Sequence, residues 1–477
     1  NNILQNHETM DIGIINGVVQ RLLLRILFLR MCEDRGIQAY ETLKQVADSN
    51  SWDEFIELLR SADEQFNTDL FAIHNDHFFD ADLNLQLDTS ILSEIIEKLY
   101  YPYSPYSFAV FSAEFLGEIY EYFLAKRLFL GTNNLELVTF PDRLSKEVVT
   151  TPQPVIQQIT DLVIRPELED KNIDELLEIK ILDPACGSGG FLISAYDLLI
   201  EVITKQLIND DPSLLYQDAD GYQLPFEIKK NLLVRCLFGV DRDQFAVQVA
   251  KFSLFIKLME KESNVSLPDQ GDLLPTLDDN ILWGDALVDG RIFDSGSNPE
   301  DLIGIPFNWE DDINSPFDIV IGNPPYLTTE HMINIEPVEY EFYKRHYESS
   351  YKQFDKYYLF IELGLRRLLK DHGVLAYLVS RKFTHIESGK RIRQLIFQGR
   401  NLYRLIDFGS TQLFSNKTNY TCILFLKNQG VDGESETLEY ALVNSLADWL
   451  AITTEFPINS SERYFNLPRD FVDTDLA

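Results

Sequence analysis

From the start of the chain to about Arg127, apolar side chains recur at intervals of three and four, with almost no strict alternation. The clearest stretches are "VVQRLLLRILFLRMCEDRG", "SWDEFIELLRSA" and "SAEFLGEIYEYFLAKRL". This spacing predicts an all-helical N-terminal domain over residues 1–145, with Gly36 stopping the first helix and Ser112 opening the third. After "FLGTNNLELVTFPDRLS" the pattern changes to short apolar runs: "EIKILDP", "CLFGVD", "NILWGDA", "FDIVIGNPP", "GVLAYLVS", "YRLIDFG" and "YTCILFLKN". Helical text separates the early runs. These seven runs predict an open, mostly parallel, Rossmann-like α/β sheet with helices on both faces over residues 146–430. The last two are joined without an obvious long helix, which predicts an antiparallel final pair.

Composition sharpens this picture in three ways. The chain has 477 residues, 45% of them hydrophobic, enough to fill the cores of more than one domain. Its 41 Lys and Arg against 76 Asp and Glu give a net charge of −35, so a nucleic-acid partner requires a local basic face. The cysteines Cys32, Cys186, Cys236 and Cys422 are scattered without a Cys-x-x-Cys pair. They point to neither a disulfide framework nor a metal site, and a reducing, cytoplasmic setting is expected. The apolar stretch from Ile12 to Met31 carries Arg21, Arg25 and Arg30 at helical spacing, so it reads as a core helix and no membrane partner is expected. The chain opens without Met and stops at Ala477, and it is expected to be a piece of a longer protein.

Ligands of such sheets bind at the carboxyl ends of the strands. The first run ends in "LDPACGSGGFL", from Asp183 to Leu192, where Gly187, Gly189 and Gly190 lead into a helix N-terminus. Phe191 stands where a Walker loop needs Lys, and the spelling also departs from a dinucleotide fingerprint. The second run ends at Asp241, placed to hold two ribose hydroxyls, and the third at Asp285, placed to accept from an adenine amino group. Singly, each acid also reads as a helix cap or loop residue. Together they describe a nucleoside pocket.

The fourth run ends in Asn323-Pro324-Pro325-Tyr326. The Asn323 amide oxygen and the Pro324 carbonyl are two stiffly held acceptors suited to one NH2 group, and Tyr326 offers a flat face for a planar ring.

On "DPACGSGGF" and "NPPY", preceded by "TTPQPVIQQI", the chain resembles the gamma-class S-adenosylmethionine-dependent DNA adenine-N6 methyltransferases of type IIG restriction-modification and BREX-type phage-defence enzymes. The resemblance covers about Lys146 to Lys427, with a helical beginning similar to that of the single-chain type IIG enzymes. It implies a seven-stranded methyltransferase sheet, S-adenosyl-L-methionine as cofactor and double-stranded DNA with a flipped-out adenine as partner. By position, Thr151, Asp183 and Ala185 would hold the methionine end of the cofactor, and Gly187 and Gly189 would also belong to its site. Asp241 would hold its ribose, and Asp285, Ala286 and Phe360 its adenine. Asn323, Pro324, Pro325 and Tyr326 would form the catalytic set. Thr150 stands where the family often has Tyr. Residues 431–477 would begin a linker to a target-recognition domain, and a further specificity or restriction partner is implied.

Basic residues concentrate between Lys344 and Arg404, interleaved with tyrosines, and include Lys352, Lys356, Arg381, Lys382, Arg391 and Arg393. They read either as a DNA face or as a solvated helix surface; Lys382, Arg391 and Tyr420 are the expected DNA contacts. Asn-Pro-Pro-Tyr also serves protein-glutamine and RNA methyltransferases, and a non-catalytic modification subunit is a further alternative. Glu-x-Lys occurs at Glu178 to Lys180 and again at Glu227 to Lys229, too cheap a pattern to indicate a nuclease.

Overall fold

The computed structural model describes residues 12–66, 71, 88–113, 115, 117, 126–130, 135–139, 151–218, 221–260, 262, 274–313, 316–414, 420–428, 437–451 and 464–468. The chain divides into two compact units. One gathers residues 1–145 with 225–230 and 251–277, and the other holds 146–224, 231–250 and 278–477.

In the first unit the long helix Ile12–Asp34 buries arginines as well as aliphatics. Arg30 is 3% exposed. Its guanidinium lies 4.3 Å from the Tyr100 ring centroid, pairs with Asp34 and donates to the Leu99 carbonyl at 3.2 Å. Glu33 accepts from the Leu43 amide at 2.7 Å and from the Tyr100 hydroxyl at 2.6 Å. Buried charge is thus paired and hydrogen-bonded, as its desolvation demands. Among the described residues no helix is long and apolar enough to cross a membrane. Shorter helices follow at Thr42–Ser49, Trp52–Phe66 and Thr89–Glu97. The unit is not entirely helical: β1 (Lys126–Leu130) and β2 (Leu135–Thr139) form an antiparallel hairpin. The expected third helix therefore does not run on through Arg127, because Lys126 to Leu130 has an antiparallel strand partner in "LELVT".

The second unit is built on one nine-stranded sheet, with a separate small hairpin of β4 (Tyr216–Asp218) and β5 (Gly221–Gln223). Its strands in chain order are β3 (Ile181–Asp183), β6 (Leu237–Asp241), β7 (Ile281–Trp283), β8 (Phe317–Gly322), β9 (Leu369–Ser380), β10 (Leu402–Asp407), β11 (Thr421–Lys427), β12 (Thr437–Leu442) and β13 (Tyr464–Pro468). Their spatial order is β13-β12-β10-β11-β9-β8-β3-β6-β7. All seven apolar runs are strands of this sheet. The expected count of seven is raised to nine by β12 and β13, which come from the segment expected to begin a linker. From β7 across to β9 the pairing is parallel, and β9 with β11 and β11 with β10 are antiparallel. Ile181, Leu182, Val240, Ile319, Val320, Ile321 and most of β9 from Val374 onward are buried, as a sheet covered on both faces requires.

Chain order leaves β3 toward β6 and β7 on one side, then returns to β8 and β9 on the other. The crevice at such a reversal lies outside the carboxyl ends of β3 and β8. These are the ends that carry Asp183 and Asn323.

Candidate active site

At the end of β3 the backbone turns sharply into the helix Gly190–Asp210. Asp183 is 2% exposed, and its Oδ1 accepts from the Ala185 amide at 3.0 Å. Gly187 N donates to Asp241 Oδ2 at 2.8 Å, so the glycine turn is tied to the end of β6. Gly189 has φ +86°, and a Cβ there would come 3.2 Å from that of Ala250, so the turn needs glycine for both conformation and closeness. Burial pushes the Asp183 carboxyl up to about 8, against the pull of the Ala185 amide and with the push of Asp241. Burial likewise raises Asp241 to about 6, against the amides of Asp243 and Gly187. In both, desolvation is the largest influence and disfavours the anion.

Asp285, beyond the end of β7, is 4% exposed. Its Oδ1 accepts from the Leu287 amide at 3.0 Å, and its own amide donates to the Ile305 carbonyl at 2.7 Å. Trp309 Nε1 donates to the Ala286 carbonyl at 2.9 Å. Phe360, on the helix Tyr357–Leu363, is 4% exposed and belongs to the apolar core that also holds Ala286 and Tyr357. The acids therefore line the carboxyl ends of three neighbouring strands, β3, β6 and β7. A glycine cradle beside a buried carboxyl, followed by acids at the ends of the next two strands, fits a nucleoside with a positively charged tail.

Across the crevice, Gly322 at the end of β8 has φ +156°, and a Cβ there would lie 2.6 Å from Asp183 Oδ1. Only glycine lets the two strand ends come this close. Asn323 follows, and its Nδ2 donates to Thr151 Oγ1 at 3.0 Å. That bond takes the nitrogen end of the amide and fixes which end presents oxygen. Pro324 is buried and brings no N–H to compete with its carbonyl. The Tyr326 hydroxyl donates to the Leu378 carbonyl of β9 at 2.9 Å, and its ring meets Tyr357 edge-on at 5.8 Å. Tyr357 in turn donates to the Ser380 carbonyl at 2.8 Å. Burial holds both phenols well above their ordinary range, so they remain neutral donors.

Behind this loop stands a charge cluster that the sequence reading missed. Glu336, fully buried, accepts from Lys356 Nζ at 2.8 and 2.9 Å and from Arg242 Nη1 at 2.7 Å. Lys356 N also donates to the Leu327 carbonyl, immediately after Tyr326. The cluster bolts the residue after Asp241 to the loop that follows Asn323. Its only sequence signal was a Lys among tyrosines, which the reading assigned to a basic face.

That basic face is accordingly smaller than expected. Lys356 is 1% exposed, Arg393 spends Nη1 on the carbonyls of Phe383 and Ile386, and Arg381 grips Asp407. Lys352 pairs with Glu387 on the surface. Lys344, Arg345, Lys382, Lys390 and Arg391 are exposed. Arg391 sits 5.7 Å from the Tyr351 ring centroid, and Lys382 bears on Asp355, whose carboxyl burial raises to about 6. Tyr420 is 48% exposed at the start of β11.

Residues 235–414 match the family model described as Eco57I restriction-modification methylase. Over these residues the chain is similar to the Eco57I-type restriction-modification methylases. The chain is also similar to "Type II restriction enzyme and methyltransferase RM.Eco57I" of Escherichia coli, 36% identical over 475 residues, covering 98% of this chain and 46% of that relative. "Adenine-specific methyltransferase PglX" of Lacticaseibacillus casei (strain Zhang) is 24% identical over 288 residues, covering 49% of this chain and 22% of that one. The chain spans less than half the length of either relative. Among solved structures, the type IIL restriction-modification enzyme MmeI in complex with DNA superposes with a TM-score of 0.60 at 14% identity, covering 94% of this chain and 57% of that one. At that identity the likeness bears on the fold alone.

Proposed function

We propose that this chain is the methyl-transferring part of a DNA adenine-N6 methyltransferase that uses S-adenosyl-L-methionine, and that the whole protein works in a restriction-modification or phage-defence system. The observation that carries the reading is Asn323, held by its nitrogen end on Thr151 and set beside the acid-lined crevice by the closeness of Gly322 to Asp183. The relatives' printed names support DNA adenine as the target.

When bound, the cofactor supplies an electrophilic sulfonium methyl group. Asp183, with the turn from Ala185 to Gly189 and with Thr151, would face its methionine end, Asp241 its ribose hydroxyls, and Asp285, Ala286 and Phe360 its adenine. A duplex base must leave the stack to reach such a crevice. Tyr326, anchored on β9, gives the extruded ring a fixed face, and Tyr420 is assigned as a second aromatic. The exocyclic amine is a poor nucleophile because its lone pair is delocalised into the ring. Acceptance of its two hydrogens by Asn323 Oδ1 and the Pro324 carbonyl favours a tetrahedral nitrogen and stabilises the positive charge that develops there. Positioning then does the rest, with the released proton leaving after transfer. Lys382 and Arg391 are assigned to the DNA backbone.

Labelled methyl transfer to duplex DNA tests this, read beside cofactor binding by calorimetry. Asn323→Ala is expected to bind cofactor as the wild type does and to lose turnover by about 100-fold or more. Turnover at the wild-type rate in that variant, or labelling of protein in place of DNA adenine, would overturn the reading.

A further inference from the structure

Tyr420 is exposed, yet it is held from beneath by a built arrangement. β11 runs antiparallel to β9 with Thr421 opposite Ser380, and β8 runs parallel to β9 with Gly322 opposite Tyr377. Tyr420 and the Asn323 loop therefore leave the same edge of the sheet, with β9 between their strands. Two strand spacings amount to about 10 Å. A planar base between two rings needs roughly 7 Å, at about 3.5 Å to each face.

The exit of β9 serves as a rack for this edge. Its Leu378 carbonyl takes the Tyr326 hydroxyl, its Ser380 carbonyl takes that of Tyr357, and the next residue, Arg381, donates its backbone N–H to the Tyr420 carbonyl at 2.9 Å. The Arg381 guanidinium lies 5.7 Å from the Tyr420 ring centroid. Its Nη1 reaches Asp407 Oδ1 at 3.1 Å and Oδ2 at 3.0 Å. Asp407 closes β10 and is fixed in turn by the Gly409 amide at 2.8 Å and the Tyr440 hydroxyl of β12 at 3.3 Å. An arginine so neutralised is poorly placed to bind a phosphate, but well placed to hold a ring by cation–π attraction.

We infer that Arg381, locked by Asp407, is a positioning residue that fixes the Tyr420 ring as a stacking face for the extruded base. This deepens the proposed reading and rests on it. The clamp draws on β9, β10, β11 and β12, so the far half of the sheet sets the geometry of a contact made at its middle.

The test is a double-mutant cycle in the whole protein, reading kcat/KM on unmethylated plasmid DNA, the salt dependence of DNA binding, and cofactor affinity. Tyr420→Ala is expected to lower kcat/KM by about 10-fold or more. Arg381→Met is expected to lower it by about 3-fold with the salt slope unchanged, and to cost nothing further in the Tyr420→Ala background. Unchanged cofactor affinity certifies folding; should Arg381→Met lose it, Arg381→Lys, which lacks the planar fork for Asp407, takes its place with the same expectations. Equal cost of the arginine substitution in both backgrounds, or a shallower salt slope, overturns the clamp. If Tyr420→Ala turns over as the wild type while Asn323→Ala is dead, the clamp alone falls. A wild-type protein that transfers no methyl group to adenine takes the reading of the site down with it.

Discussion

The hydroxyl of Thr151 accepts a 3.0 Å hydrogen bond from the amide nitrogen of Asn323, joining positions 172 residues apart. Thr151 is 6% exposed and directly precedes Pro152, the N-cap of the helix Gln153–Leu168, so it is a rigid post. Thr151→Val keeps the shape and removes the acceptor. We expect kcat for methyl transfer to fall by about 10-fold, the worth of one buried hydrogen bond, while Thr151→Ser stays near wild type. A Val variant with unchanged kcat would show that Asn323 needs no such post.

Asp183 keeps its proton up to about 8 in the folded chain, against an ordinary value of 3.8. Its folded value is the raised one, so its favourable contribution is complete below pH 3.8 and is lost as pH rises through about 8. Without cofactor, Asp183→Asn should therefore flatten the pH dependence of thermal unfolding and melt a few degrees higher than wild type at alkaline pH. The same change should weaken cofactor binding by about 10-fold or more, since the neutral amide cannot ionise against a cation. A variant less stable than wild type at pH 8 would contradict this account.

The pair of Lys356 and Glu336 is sealed from water, with side chains 1% and 0% exposed. Lys356→Met leaves Glu336 with Arg242 alone and should cost about 3–5 kcal/mol in chemical denaturation. Replacing both, as Lys356→Met with Glu336→Leu, should cost less than the single change. The reverse order of stabilities would mean that the ionic contact itself stabilises the loop.

Lys382, just beyond the end of β9, and Arg391, on the helix Lys390–Gln398, are both exposed. Lys382→Glu and Arg391→Glu should each weaken DNA binding and reduce the slope of log affinity against log salt by about one. Affinity and slope unchanged in both variants would assign these residues to an ordinary solvated surface.

The strands and the acids at their ends were legible because a buried parallel strand must be a short apolar run, and its end must be broken by Gly, Asp or Pro where a crevice opens. Residues Ile319 to Ile321 followed by Gly322 show both signals at once. The hairpin at residues 126–139 was not legible, since "AKRLFL" continues a helical spacing and only its partner decides otherwise. β12 and β13, "TLEYAL" and "YFNLP", close one side of the sheet, and in sequence they interleave polar with apolar residues and show no continuous apolar run. Lys356 was misread because a charge looks alike in solvent and in an ion pair until its partner, 20 residues away, is in place. Thr151 had a position in the motif but nothing in the sequence to join it to Asn323.

β12 lies along β10 in parallel register from Arg404 opposite Glu439 to Asp407 opposite Leu442, and β13 covers β12. These two strands decide where a catalytic fragment can be cut. A protein trimmed after Lys427 would keep every residue of the crevice, yet leave the six-residue β10 with one row of its N–H and C=O groups uncovered. Such a bare edge is a template for the same edge of a neighbouring molecule, so a fragment cut after Lys427 is expected to self-associate more than one that keeps β12 and β13.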